Sequence, residues 1–161
     1  MKAMRTFLSY DARDAEIAKQ LLPRLVAQKL DVWDPAREIY PGSNWLLEMG
    51  QALERADGIV FLISENSAES VALLHQVEYA ITNLRFKDRV IPIVLSRDVK
   101  NFPWILQKMS VIDAADHDMD RVAKLVATAM QRPPKRSTVR GASPRSSRPK
   151  IRATRASKTR H

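Results

Sequence analysis

The chain has no cysteine among its 161 residues. That removes disulfides, thiolate nucleophiles and Cys-based metal sites together, and it fits a reducing compartment. Glycine is nearly as scarce, with four residues at 42, 50, 58 and 141. Neither a dinucleotide-binding glycine fingerprint nor a nucleoside-triphosphate loop can be built from them, so any phosphate must be held by other means. No apolar run approaches the roughly 18 residues of a membrane span, and MKAMRTFLSY runs into a short strand with no small-residue cleavage site. A cytoplasmic protein with no membrane association is the expectation. The three histidines, 75, 117 and 161, are scattered, and no metal site is expected.

Charge is plentiful but unevenly placed. The formal net charge is +9, yet residues 131–161 hold 11 of the 27 Lys and Arg and no acid. That leaves 16 basic against 18 acidic residues in 1–130, a net of −2. Two regions follow: a near-neutral globular domain over 1–130 and a basic tail over 131–161. The tail is rich in Arg, Lys, Ser, Thr and Pro, has only Val139 and Ile151 as larger aliphatics, and is expected to be disordered. It has no aromatic to stack on bases and no amphipathic period for membrane insertion. A solubilising extension is the first reading, and non-specific nucleic-acid binding with steep salt dependence the second.

The domain is organised around Gly58–Ile81. Ile59 to Ile63 form an unbroken apolar run ended by Ser64, which reads as a strand buried on both faces. A polar link, Glu65 to Ser67, leads into a helical pattern with Val71, Leu74, Val77 and Ile81 inward. Upstream, Thr6–Tyr10 and Leu30–Trp33 read as strands. Between them lies a helix capped by Asp11 or Asp14 and disturbed at Pro23 by a kink or a shifted start. A long loop over 35–44 precedes a helix that is capped by Ser43 or Asn44 and buries Trp45, Leu46, Met49, Ala52 and Leu53.

Downstream, Val90–Leu95 is a fourth strand in which Pro92 favours an early or outer position. An irregular stretch, 96–109, leads to a short fifth strand at Val111-Ile112. A helix over 116–130 then turns Met119, Val122, Leu125, Val126 and Ala129 inward. Alternating strands and helices argue for a flavodoxin-like three-layer α/β sandwich around a five-stranded parallel sheet. Ligands of such sheets sit beyond the carboxyl ends of the strands. Candidate residues at that end are Ser9, Tyr10 and Arg13 after the first strand, able to meet a pyrophosphate, and Trp33 and Asp34 after the second. Trp45 divides evenly between core and pocket.

Several motifs in register resemble the TIR (Toll/interleukin-1 receptor and resistance protein) family in its bacterial stand-alone form. They are Phe7-Leu8-Ser9-Tyr10 with Asp14; Asp31-Val32-Trp33-Asp34 followed by Ile39 to Trp45; Ile59 to Ser64 with Ser70 and Glu78-Tyr79-Ala80; and Val90 to Ile93 with Pro103-Trp104. The resemblance covers about Arg5 to Met130. It implies one of two kinds of work. Some members cleave NAD+ at the nicotinamide–ribose bond, giving nicotinamide and ADP-ribose or a cyclic form, in anti-phage defence or signalling; NAD+ is then substrate, not cofactor. Others are scaffolds that only recruit further TIR domains. The enzymes carry a glutamate four residues after the Trp of a Ser-x-Trp pattern. Ser70 matches the serine, Ala72 stands at the tryptophan and Gln76 at the glutamate.

Gln76 is thus either a surface residue or a pocket residue at the catalytic position. Glutamine keeps the size of glutamate but has no charge and cannot act as a base. The resemblance also places Trp33 and Asp34 near the nicotinamide ribose, and it makes 35–44 the segment through which one copy docks on the next, against the alternative of an ordinary mobile loop.

Overall fold

A computed structural model of the chain describes residues 2–133. Five strands, β1 (Met4–Ser9), β2 (Leu30–Trp33), β3 (Gly58–Ile63), β4 (Val90–Val94) and β5 (Ile112–Asp113), form one sheet in the order β2-β1-β3-β4-β5. Every pairing is parallel. All six residues of β3 are buried, which is why its sequence is apolar without alternation. Its side chains still divide by parity. Val60 and Leu62 join Leu8, Leu21, Leu25, Val122 and Val126 under α1 (Ala15–Ala27) and α7 (Met119–Gln131). Ile59, Phe61 and Ile63 join Phe7, Met49, Leu53, Leu73 and Val77 under α3 (Trp45–Arg55) and α5 (Val71–Thr82). Fully burying one such side chain contributes about 1.5–3 kcal/mol, so these two apolar layers hold the sandwich together. Flavodoxin-like architecture with a five-stranded parallel sheet is therefore what the chain adopts.

Several local expectations are corrected. Over α5 the buried face is Leu73, Gln76, Val77 and Ala80, while Val71, Leu74 and Ile81 are exposed. The helix is apolar almost all round, so two helical stripes sharing Val77 fit the sequence and tertiary packing chose the other. In α3 only Met49 and Leu53 are buried, and Trp45 and Leu46 are exposed. In α7, Leu125 faces out and Ala123, Ala127 and Met130 face in. The segment expected as a plain loop begins with a one-turn helix, α2 (Pro35–Glu38). Asp34 caps it, with Pro35 at a position whose missing N–H has no partner to lose.

Further one-turn helices, α4 (Glu65–Ala68) and α6 (Trp104–Gln107), occupy the link before α5 and the stretch read as irregular. Helix α1 runs through Pro23, whose exposure lets water reach the carbonyl left without a donor.

Pro92 lies in the middle of β4 rather than at its start. It is tolerated there because alternate residues of β4 face β3, as the bonds from Ile59 N to Arg89 O and from Leu95 N to Ile63 O show. The nitrogen of Pro92 points to the other side, where β5 pairs only Ile93 and Val94. Among the described residues no helix is long and apolar enough to cross a membrane. The basic segment, apart from residues 131–133, lies outside the described residues.

Candidate functional site

Strand order reverses between β1 and β3, because β1 connects outward to β2 and β3 onward to β4. The links leaving the carboxyl ends of β1 and β3 therefore diverge, and a crevice opens between them. A cavity of about 440 Å³ occupies it. Its walls come from the end of β1 (Ser9, Tyr10, Asp11, Ala12), from α2 and its exit (Pro35, Ala36, Ile39), from α3 (Trp45, Met49) and from the start of α5 with its approach (Ser67, Ser70, Ala72, Leu73, Gln76).

Gln76 lines this cavity and is 9% exposed, so it is no surface glutamine. Its Oε1 accepts from Ser9 Oγ, and its Nε2 donates to Met49 Sδ at 3.0 Å. A thioether is a weak acceptor. The amide N–H₂ is accordingly the polar group of this site with most to gain from a ligand atom. The side chain turns inward on α5 because those two partners wait there, where an unpaired amide would incur a desolvation cost.

Tyr10 and Asp34 form a second polar unit. The phenol donates to Asp34 Oδ1 at 2.5 Å, and the same oxygen accepts from Ala36 N at 3.0 Å. Asp34 is buried, so this carboxylate joins the end of β1 to the first turn of α2. Burial first, and the bond to Asp34 second, raise the Tyr10 phenol well above its ordinary pKa. Asp34 itself does not line the cavity; Pro35 and Ala36 beside it do.

Arg13 does not itself line the cavity; it follows the lining residues Asp11 and Ala12 in the chain. Its Nε lies 2.9 Å from Asp11 Oδ1, and its Nη2 donates to Asn66 O at 3.1 Å. The guanidinium bond holds the Asp11 carboxyl below its usual range. Below it, buried Asp14 accepts from Ser64 Oγ and from Asn66 Nδ2 at 3.1 Å. Ser64 also caps α4 in a reciprocal capping box with Ser67. Together these bonds clamp the link after β3 to the link after β1.

Of the sequence-derived candidates, Ser9, Tyr10, Trp45 and Gln76 meet around the cavity. Arg13 does not line it; its guanidinium is held by Asp11, which does, and by Asn66 O. Trp33 is elsewhere: it pairs in register with Phe7 and stacks on its ring, centroids 4.8 Å apart, within the apolar layer. Glu65, Glu69 and Glu78 are exposed and none lines the cavity, so among the described residues its one carboxylate is Asp11, paired with Arg13. Sequence reasoning missed Met49 as a partner of Gln76, since a methionine on an apolar helix face signals only packing. It also missed the Asp14–Ser64 bond, for which Ser64 directly ending an apolar run is the available hint.

Comparison with known proteins adds the family. A family model described as TIR domain matches residues 6–126. A search of curated protein sequences found no match. Among solved structures, the chain is similar to the TIR domain of the Toll-related receptor TRR-2 from the lower metazoan Hydra magnipapillata. The TM-score is 0.64 at 16% identity, over 79% of this chain and 98% of that one, a likeness of fold. With the motifs in register, the parallel sheet and the match over 6–126, the chain belongs to the TIR-domain family.

Proposed function

We propose that the cavity is an NAD+ site of the glycohydrolase kind and that Gln76 leaves it impaired for turnover. The observation carrying this reading is Gln76 itself, buried in the cavity wall and hydrogen-bonded to Ser9 and Met49, at the position the family resemblance gives to the catalytic glutamate. Cleavage of the nicotinamide–ribose bond sends the electron pair to the ring nitrogen and develops positive charge on the ribose. A carboxylate at residue 76 would stabilise that charge and orient the ribose hydroxyls; an amide at the same place can orient but not stabilise. Ser9 and Tyr10 would hold the ribose end, and the guanidinium of Arg13, next in the chain to the lining residues Asp11 and Ala12, would meet a pyrophosphate. The setting that fits the family resemblance is anti-phage defence or signalling, and the product is linear or cyclic ADP-ribose.

A second reading, a non-catalytic scaffold acting through TIR–TIR contacts, is favoured by the surface around 35–44. Tyr40 is 70% exposed and Leu46 72% exposed, close in sequence to the turn at Gly42. Equilibrium binding separates the two readings. NAD+ bound by the chain and recovered intact supports the impaired site; assembly with no nucleotide binding supports the scaffold.

A further inference from the structure

In a parallel sheet the chain must return to the amino end of the strands before each new strand begins, at the end away from the cavity. The approach to β1 (2–5) and the links into β2 (28–31), β3 (54–58) and β4 (83–89) meet there. These segments hold seven Lys or Arg and four acids, a net of +3. The rest of 1–130 holds nine and fourteen, a net of −5. A domain that is near neutral as a sum is therefore polarised, positive where its strands begin and negative over the remainder.

The positive end faces solvent. Lys2, Lys29, Arg55, Arg85 and Lys87 are exposed. Arg5 and Arg89 flank the first residues of β3, accepting from Asp57 N and Ile59 N through their carbonyls. The Nε of each is buried without a hydrogen-bond partner, a rare condition for a buried donor. Asp57, one of the four acids, is engaged by Arg5 N at 2.8 Å. Ion pairs such as Arg13–Asp11, Lys19–Glu16 and Arg121–Asp116 take cations from outside these segments. Helix α7 ends at the same place, since a Cβ on Gly58 would meet Met130 in the last turn of that helix. From Arg132 onward eight Arg and three Lys follow, with no acid. The basic segment thus starts from the basic end.

We propose that the amino end of the sheet, its charge continued by 132–161, is a docking face for double-stranded nucleic acid, held through the phosphate backbone without regard to sequence. A duplex carries one negative charge per roughly 1.7 Å of its axis, and neutralising those charges releases condensed counterions. Arginine outnumbers lysine four to three in the links and eight to three from Arg132 on, and its planar fork matches phosphate oxygens. Single strands would need aromatic faces to stack on; Phe86 in these links is buried and 132–161 has no aromatic. A bilayer would need an apolar face, and Leu84 is the one large exposed apolar side chain in the four segments. The acidic remainder of the domain repels the same backbone and confines it to this end. None of the seven cations lines the cavity, so the proposal stands apart from the NAD+ reading.

The test removes equal charge from two places. Fluorescence anisotropy on the full chain follows a labelled DNA duplex of about 20 base pairs as salt rises from about 50 to 200 mM. One variant, Lys29→Gln/Arg55→Gln/Lys87→Gln, takes three exposed cations from the links; the other, Lys19→Gln/Lys100→Gln/Lys124→Gln, takes three exposed cations from elsewhere on the domain. At a slope of about 0.9 per phosphate contact, the unaltered chain should lose roughly 40-fold more affinity over that rise than the first variant does. The second variant should match the unaltered chain. Equal slopes for the two variants, or no duplex bound at the lower salt, overturn the face. Tighter binding to a single strand of the same length overturns the choice of duplex. Binding to phosphatidylserine vesicles that depends on the same three cations, with none to the duplex, gives the face to a membrane instead. Should the first variant fail to fold by circular dichroism, Lys2→Gln/Arg55→Gln, both exposed, carries the same comparison.

Discussion

Replacing Tyr10 by Phe removes one oxygen and leaves the ring, which isolates the bond to Asp34. That carboxylate is 5% exposed and has two donors on Oδ1, the phenol at 2.5 Å and Ala36 N at 3.0 Å. After Tyr10→Phe only the backbone donor remains. Hydrogen bonds to charged groups contribute about 1.5–3 kcal/mol net, and partial solvent access at Tyr10 brings the expected loss to roughly 1–2 kcal/mol. For a domain of this size that is a fall of several degrees in Tm.

The pH dependence supplies a sharper check. The phenol's pKa is raised in the folded protein above its ordinary value of 10.0, so folding favours the protonated form. That contribution is complete below the unfolded value, about 10, and is lost as pH climbs through the folded one. Urea unfolding of both proteins at several pH values should show a constant stability gap from pH 7 to 9 that narrows above about pH 10. A Tyr10→Phe protein as stable as the unaltered chain at pH 7, or a gap indifferent to alkaline pH, would refute the reasoning.

Two further changes test the frame and the proposed assembly segment. A Cβ at Gly58 would lie 2.5 Å from Met130 Sδ, which can move, and 2.9 Å from Arg89 O, which is held by its bond from Ile59 N. Gly58→Ala should therefore destabilise by about 1–3 kcal/mol, and a Tm within about one degree of the unaltered value by circular dichroism would contradict that packing. Gly42 has φ +88° with open space around it, so Gly42→Ala strains the backbone locally and leaves the core alone. If copies dock through 35–44, light scattering should show oligomers lost while the monomer stays folded; undiminished assembly would move the contact elsewhere.

Strand β3 was legible in the sequence because burial on both faces leaves no polar residue to obscure it, and Ser64 marks its end. The face of α5 was not, because Val71, Leu74 and Ile81 offer as good a stripe as Leu73, Val77 and Ala80. Only the sheet beneath decides between them. The same limit applies to the two tryptophans beside the 35–44 segment. Trp33 is held on the apolar layer by its register with Phe7, a fact of strand pairing that spacing along the chain does not contain. Asp34 could be read as an acid at a strand end, but its two donors come from residue 36 and from Tyr10, 24 positions away. Asp14 and Ser64 meet across 50 residues. Local rules see caps and periods; contacts of that span appear only once the sheet order is known.

The central claim, that residue 76 is where a carboxylate would have to act, is tested most directly by nicotinamide release from NAD+. The measurement compares the unaltered chain with Gln76→Glu, at high protein concentration and with Glu78→Gln as a control on either background. Losing a charge directed at developing charge costs on the order of 2.7–4 kcal/mol, so the unaltered chain should be slower by about 10²–10³. Gln76→Glu should restore turnover by that factor, and Glu78→Gln, on an exposed residue, should change nothing. Strong hydrolysis by the unaltered chain, or a folded Gln76→Glu protein that binds NAD+ and still releases no nicotinamide, would contradict the account.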